Sequence, residues 1–66
     1  MTFTLTIEMD TAAFEPSEDD RRSGTELAAI LKRAASMVND EELRDGWYQT
    51  FRDSNGNRVG EAKVSE

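Results

Sequence analysis

Apolar and polar residues alternate without a fault over residues 2 to 10: Phe3, Leu5, Ile7 and Met9 fall on one side, Thr2, Thr4, Thr6, Glu8 and Asp10 on the other. A period of two, with β-branched threonines on the wet side, predicts a half-buried strand. The rhythm stops in residues 11–23, TAAFEPSEDDRRS, where Pro16, four acids and two arginines predict a surface connection that tucks Ala12, Ala13 and Phe14 against the core edge. Ser23 with Glu26 matches a capping box, so a helix is expected to start there. Leu27, Ile30, Leu31, Ala34, Met37 and Val38 recur at three and four, forming one apolar stripe, while Lys32, Arg33 and Ser36 face away. NDEELRDG, residues 39–46, ends the helix, and Gly46 supplies a left-handed exit.

Two further strands, Trp47 to Asp53 and Asn57 to Val64, flank the Asn55-Gly56 pair. Asn-Gly between strand-like runs signals a hairpin, because both positions tolerate positive φ. Two registers compete. A two-residue turn sets Phe51 opposite Gly60 and Trp47 opposite Val64; a three-residue loop sets Phe51 opposite Val59. A bulge at Gly60 would bring Val59, Ala62 and Val64 to one face.

The order strand, helix, strand, strand predicts an α+β fold, a two-layer β-α-β-β domain over 1–66 in which one helix covers one face of a three-stranded, mainly antiparallel sheet. The expected core is Phe3, Leu5, Ile7, Met9, Leu27, Ile30, Leu31, Ala34, Val38, Trp47, Phe51 and Val59. The third strand is favoured in the middle, since both its pairings are then antiparallel; the second strand in the middle is the alternative. Alternation sends Tyr48 to the open sheet face, either as a partner contact or packed across to Lys63 or Ala62.

Composition narrows the chemistry. At 66 residues the chain buries about 60% of its unfolded surface, so a deep catalytic cleft is not expected. With no cysteine and no histidine, disulfides, thiolate or imidazole zinc sites and Ser-His-Asp relays are excluded. MTFTLTIEMD lacks a basic flank and a run of about 20 apolar residues, so neither a signal peptide nor a membrane span is expected, and the chain reads as cytoplasmic.

Asp53, Asn55 and Asn57 alternate as calcium ligands do. A calcium loop needs glycine at position 6 and a bidentate acid at 12; counting from Asp53, glycine falls at 4 and position 12 is Val64, which leaves a hairpin turn and no metal. The acid pairs Glu41/Glu42 and Asp19/Asp20 stand in polar runs that keep them solvated, whereas acid-base catalysis needs one of a pair desolvated. No catalytic residue and no cofactor are assigned, and the chain is not expected to be an enzyme.

Fourteen acidic against eight basic residues give a net charge of −6. Such a field serves solubility in most acidic proteins; as a functional feature it would repel nucleic acid and attract Lys/Arg-lined protein surfaces. The acids cluster: Glu8 and Asp10 end the first strand, Glu15, Glu18, Asp19 and Asp20 follow it, and Asp40, Glu41, Glu42 and Asp45 occupy the turn after the helix. A strand and a returning helix put these groups at opposite poles.

The opening FTLTIEMDTAAF and the closing FRDSNGNRVGE resemble the ends of small proteins encoded by phages and prophages, and size, charge and organisation are similar to those of phage anti-CRISPR proteins. That resemblance implies an inhibitor, acting in a bacterial host cell, that occupies the nucleic-acid groove of a type I CRISPR surveillance complex as a DNA mimic. The partner-binding residues assigned from the charge pattern are the two acidic clusters, and from its place on the open sheet face Tyr48 is assigned with them. A monomer or homodimer is expected, without direct contact to nucleic acid or membrane; a non-catalytic module that homodimerises or joins an assembly through its open sheet face is the alternative.

Overall fold

A computed structural model describes residues 1–15 and 22–66. Its elements are β1 (Thr2–Ile7), a short 3-10 turn (Ala12–Phe14), α1 (Arg22–Asp40), β2 (Tyr48–Arg52) and β3 (Arg58–Ser65). This is the α+β architecture expected from the residue pattern. β3 occupies the middle of the sheet, in the order β1-β3-β2, and both of its pairings are antiparallel. Among the described residues no helix is long and apolar enough to cross a membrane.

Both competing hairpin registers are used. Around the tip Arg52 faces Arg58 and the Asp53 N–H donates to the Asn57 carbonyl at 2.9 Å, as in a three-residue loop. From Phe51 onward the two-residue register holds, with Phe51 opposite Gly60 and Tyr48 opposite Lys63. The switch makes Val59 the extra residue of a β-bulge beside Gly60. Without that extra residue Val59 would point away from Ala62 and Val64; with it all three are buried. Gly60 also faces Ile7 of β1, and a Cβ there would stand 2.5 Å from the Thr6 carbonyl oxygen.

The registers set two faces. Toward α1 lie Phe3, Leu5 and Ile7, then Val64, Ala62 and Gly60, then Gln49 and Phe51; the other face carries Thr2, Thr4, Thr6, Ser65, Lys63, Glu61, Tyr48, Thr50 and Arg52. The core consists of Ala13, Phe14, Ile30, Ala34, Phe51, Val59 and Ala62, with Leu5, Ile7, Leu27, Met37 and Trp47 packed against it in part. Ala13 and Phe14 sit deeper than an edge position, and Ala12 is exposed.

Several expected core residues are not buried. Phe3 is 43% exposed, Met9 42% and Leu31 44%, while Val38 is half-buried. The cause is the lateral position of α1. The Arg33 guanidinium donates to the Arg52 carbonyl at 2.6 Å, and the Glu26 carboxylate accepts from Ser54, so that flank of the helix lies over β2 and the hairpin. A helix about 10 Å across covers about two strands spaced at about 4.8 Å, which leaves the β1 side open. Met9 lies beyond the end of β1, where the chain has already left the sheet.

The helix start also differs from expectation. α1 runs Arg22–Asp40, so Ser23 lies inside it and not ahead of it. Glu26, expected to close a capping box, instead accepts from the Ser54 backbone N–H and hydroxyl, both at 2.9 Å.

Candidate functional site

The acids of the first cluster that the structure describes lie at the hairpin end of the sheet. The Glu8 N–H donates to the Val59 carbonyl at 2.7 Å, so Glu8 and Asp10 leave the sheet beside the bulge, and Glu15 follows the short turn. All three are exposed. Glu18, Asp19 and Asp20 lie outside the described residues.

The second cluster lies at the other end, where Thr2 faces Ser65. Asp40 closes α1, Glu41 accepts from the Trp47 indole N–H at 2.5 Å, Glu42 pairs with Arg44 at 3.0 Å, and Asp45 accepts from the Glu66 N–H at 3.1 Å. All four acids are exposed, and so is the Glu42–Arg44 pair, which adds little to stability. Five strand steps separate the ends, about 17 Å along β1. The described acids of the two clusters thus lie toward opposite ends of the sheet, β1 between them is uncharged, and the open face also carries Glu61 and Lys63, with Arg52 and Arg58 facing each other beside the hairpin tip.

Tyr48 stands on that open face, 49% exposed and directly across from Lys63. Its hydroxyl donates to Glu61 at 2.5 Å and accepts from the Arg58 guanidinium at 2.5 Å, and Arg58 and Glu61 approach to 3.6 Å. The hydrogen bond to Glu61 raises the Tyr48 phenol above its ordinary value of 10.0, with the nearby Arg58 charge opposing. The ring is therefore held by cross-strand polar contacts, a fixed aromatic on a polar sheet.

Asp53 is the one buried charged residue among those described, and its role is internal. Its carboxylate accepts from the Thr11 hydroxyl at 2.5 Å, the Asn55 and Asn57 backbone N–H groups at 2.9 Å and the Asn57 amide at 3.2 Å. The Thr11 hydrogen bond, helped by those of Asn57 and Asn55, lowers its pKa against the opposing effect of burial. A carboxylate surrounded by N–H and O–H donors has no lone pair facing a cation, and among the described residues no three His, Cys, Asp or Glu side chains converge as metal ligands. An Asp two residues before Asn in a turn signals such backbone capture, but the Thr11 and Glu26 contacts arise from chain segments remote in sequence and carry no local signature.

The fold and its surface define a class: a small one-helix, three-strand α+β protein with a group of exposed acids toward each end of its sheet. Compared with protein-family models, with curated proteins and with solved structures, the chain matches none.

Proposed function

We propose that the protein is a non-catalytic inhibitor that docks its acidic ends on a Lys/Arg-lined, nucleic-acid-binding protein surface and competes there with DNA, as the resemblance to phage anti-CRISPR proteins implies. A type I CRISPR surveillance complex is the target class that this resemblance names. One observation carries the reading: Glu8, Asp10 and Glu15 stand exposed at one end of the sheet, and Asp40, Glu41, Glu42 and Asp45 at the other. A rigid spacer between acidic ends can span a basic groove, and complementary potentials speed encounter and set register.

The test is a mobility shift of target DNA by a purified type I surveillance complex, with and without the protein. Added protein should abolish the shift. Its affinity for the complex should fall about ten-fold or more between about 0.1 M and about 0.5 M salt, since exposed charges are screened over that range. The quadruple reversal Glu8→Lys, Asp10→Lys, Glu41→Lys, Glu42→Lys should abolish competition while circular dichroism stays unchanged. Binding that survives both high salt and the reversal would sink the reading.

A further inference from the structure

The two free edges of the sheet are treated differently. On β3, Val64 exchanges backbone hydrogen bonds with the β2 side, donating to the Trp47 carbonyl and accepting from Gly46, both at 2.9 Å. Antiparallel ladders alternate, so from Gly60 onward, past the bulge, even-numbered β3 residues bond toward β2 and odd-numbered ones toward β1. On β2 this turns the backbone groups of Tyr48, Thr50 and Arg52 outward. Two of those carbonyls are covered: Arg52 by the Arg33 guanidinium at 2.6 Å and Thr50 by the Gln49 amide at 3.4 Å.

On β1 the same alternation, anchored by the Glu8 N–H to Val59 bond, turns Thr2, Thr4 and Thr6 toward β3 and leaves Phe3, Leu5 and Ile7 facing outward. Among the described residues nothing hydrogen-bonds those outward groups. Edge strands are ordinarily blunted by lysine, proline, a bulge or an inward charge. Thr2–Ile7 has none of these, in a chain of which 33% is charged. Beside that edge Phe3 is 43% exposed. At about 100° per residue Leu31 lies on the flank of α1 opposite Arg33, hence toward β1, and it is 44% exposed.

We propose that this edge is a self-association surface: two copies pair antiparallel through β1 about a two-fold axis at Leu5, forming a continuous six-stranded sheet. Self-complementarity favours a second copy over a foreign strand. With the axis at Leu5, Leu5 meets Leu5 and Phe3 meets Ile7 on the helix-covered face, while Thr4 meets Thr6 on the other, so each face continues its own chemistry. Phe3, Leu5 and Ile7 of both copies then satisfy one another in about six backbone hydrogen bonds. No charged side chain of β1 is desolvated. An edge strip about 20 Å long and about 10 Å deep on each copy, with the exposed parts of Phe3 and Leu31 added, buries at most roughly 800 Å² in total, below the usual size of stable specific contacts. The dimer is accordingly weak and concentration-dependent. It is independent of the inhibitor reading and opposite in salt response: each copy carries −6, so salt strengthens the dimer and weakens docking on a basic surface.

Sedimentation equilibrium of the unmodified chain from about 10 µM to about 1 mM tests this at low and high salt. The average mass should climb from 7.4 kDa toward twice that value, and at lower concentration when salt is high. Thr4→Lys with Thr6→Lys sets like charges opposite each other across the two-fold and should keep the chain monomeric. Register is read by single-cysteine chains, since the natural sequence has none. Mixed Thr4→Cys and Thr6→Cys chains should cross-link under mild oxidation, because that pair sits about 4.5 Å apart at Cα. Thr4→Cys alone, about 8 Å from its own copy, should not. A monomer throughout the range at both salts, or cross-linking indifferent to position, overturns the proposal.

Discussion

Thr11 donates its hydroxyl to the Asp53 carboxylate at 2.5 Å across 42 residues. That bond joins the bend after β1 to the tip of the β2–β3 hairpin. Glu26 reaches the neighbouring Ser54 from α1. The hairpin tip is therefore held by β1's exit and by the helix, and it is the point where all layers of the fold meet.

The lowered Asp53 pKa makes stability pH-dependent with a definite sign. A carboxylate whose folded pKa lies below its unfolded value of about 3.9 adds stability above about pH 4, and this is lost as pH falls through the folded value. Urea midpoints from about pH 7 down to about pH 2 should show the unmodified chain losing stability below about pH 4. Asp53→Asn should start lower at neutral pH and lose less on acidification. Thr11→Val, which removes the largest cause of the shift, should narrow the difference between the two.

Gly60 and Gly24 should respond oppositely to alanine. At Gly60 a Cβ meets the Thr6 carbonyl oxygen at 2.5 Å, so Gly60→Ala must push β1 away from β3, with a loss of about 1–3 kcal/mol. At Gly24, inside α1, a Cβ meets nothing within 4 Å, and Gly24→Ala should add up to about 1 kcal/mol through helix propensity. Denaturant unfolding of the two variants beside the unmodified chain measures both signs; a stable Gly60→Ala would contradict the observed β1–β3 register.

Tyr48 should ionise above 10.0, because its hydroxyl donates to Glu61. Ultraviolet titration of the phenol in Glu61→Gln should show a lower midpoint than in the unmodified chain, as the carboxylate that holds the proton is gone. The linkage sign follows: the folded state keeps this proton longer than the unfolded chain, so stability falls as pH rises from about 10 through the folded value. Removing Arg58, which opposes the shift, should move the midpoint further up.

Much of the architecture is legible along the chain because it depends on near neighbours. The alternation from Phe3 to Ile7 sets which side of β1 is apolar, and Asn55-Gly56 closes the hairpin with Gly56 at φ +87. The stagger of Val59, Ala62 and Val64 requires a bulge, and the structure has one. The clustering of Glu8, Asp10 and Glu15 apart from Asp40, Glu41, Glu42 and Asp45 is likewise visible in the residues, and sheet direction converts it into two ends. Ser23 and Glu26 misled, because a capping box competes with other uses of the same carboxylate, and Ser54, 28 residues away, holds it instead.

The sequence by itself determined the sidedness of each element, since sidedness follows from a period of two or of 3.6. Only the tertiary structure decided how wide the cover is. Period says that Phe3, Leu31 and Phe51 are apolar on the inner side, but one helix covers about two strands. Its contacts at Glu26 and Arg33 pull it over β2, so Phe51 is buried, and Phe3 and Leu31 stay half open beside an unprotected β1 edge. The burial of Asp53 was decided the same way, by donors from Thr11 and its own turn meeting at one place that no local pattern specifies.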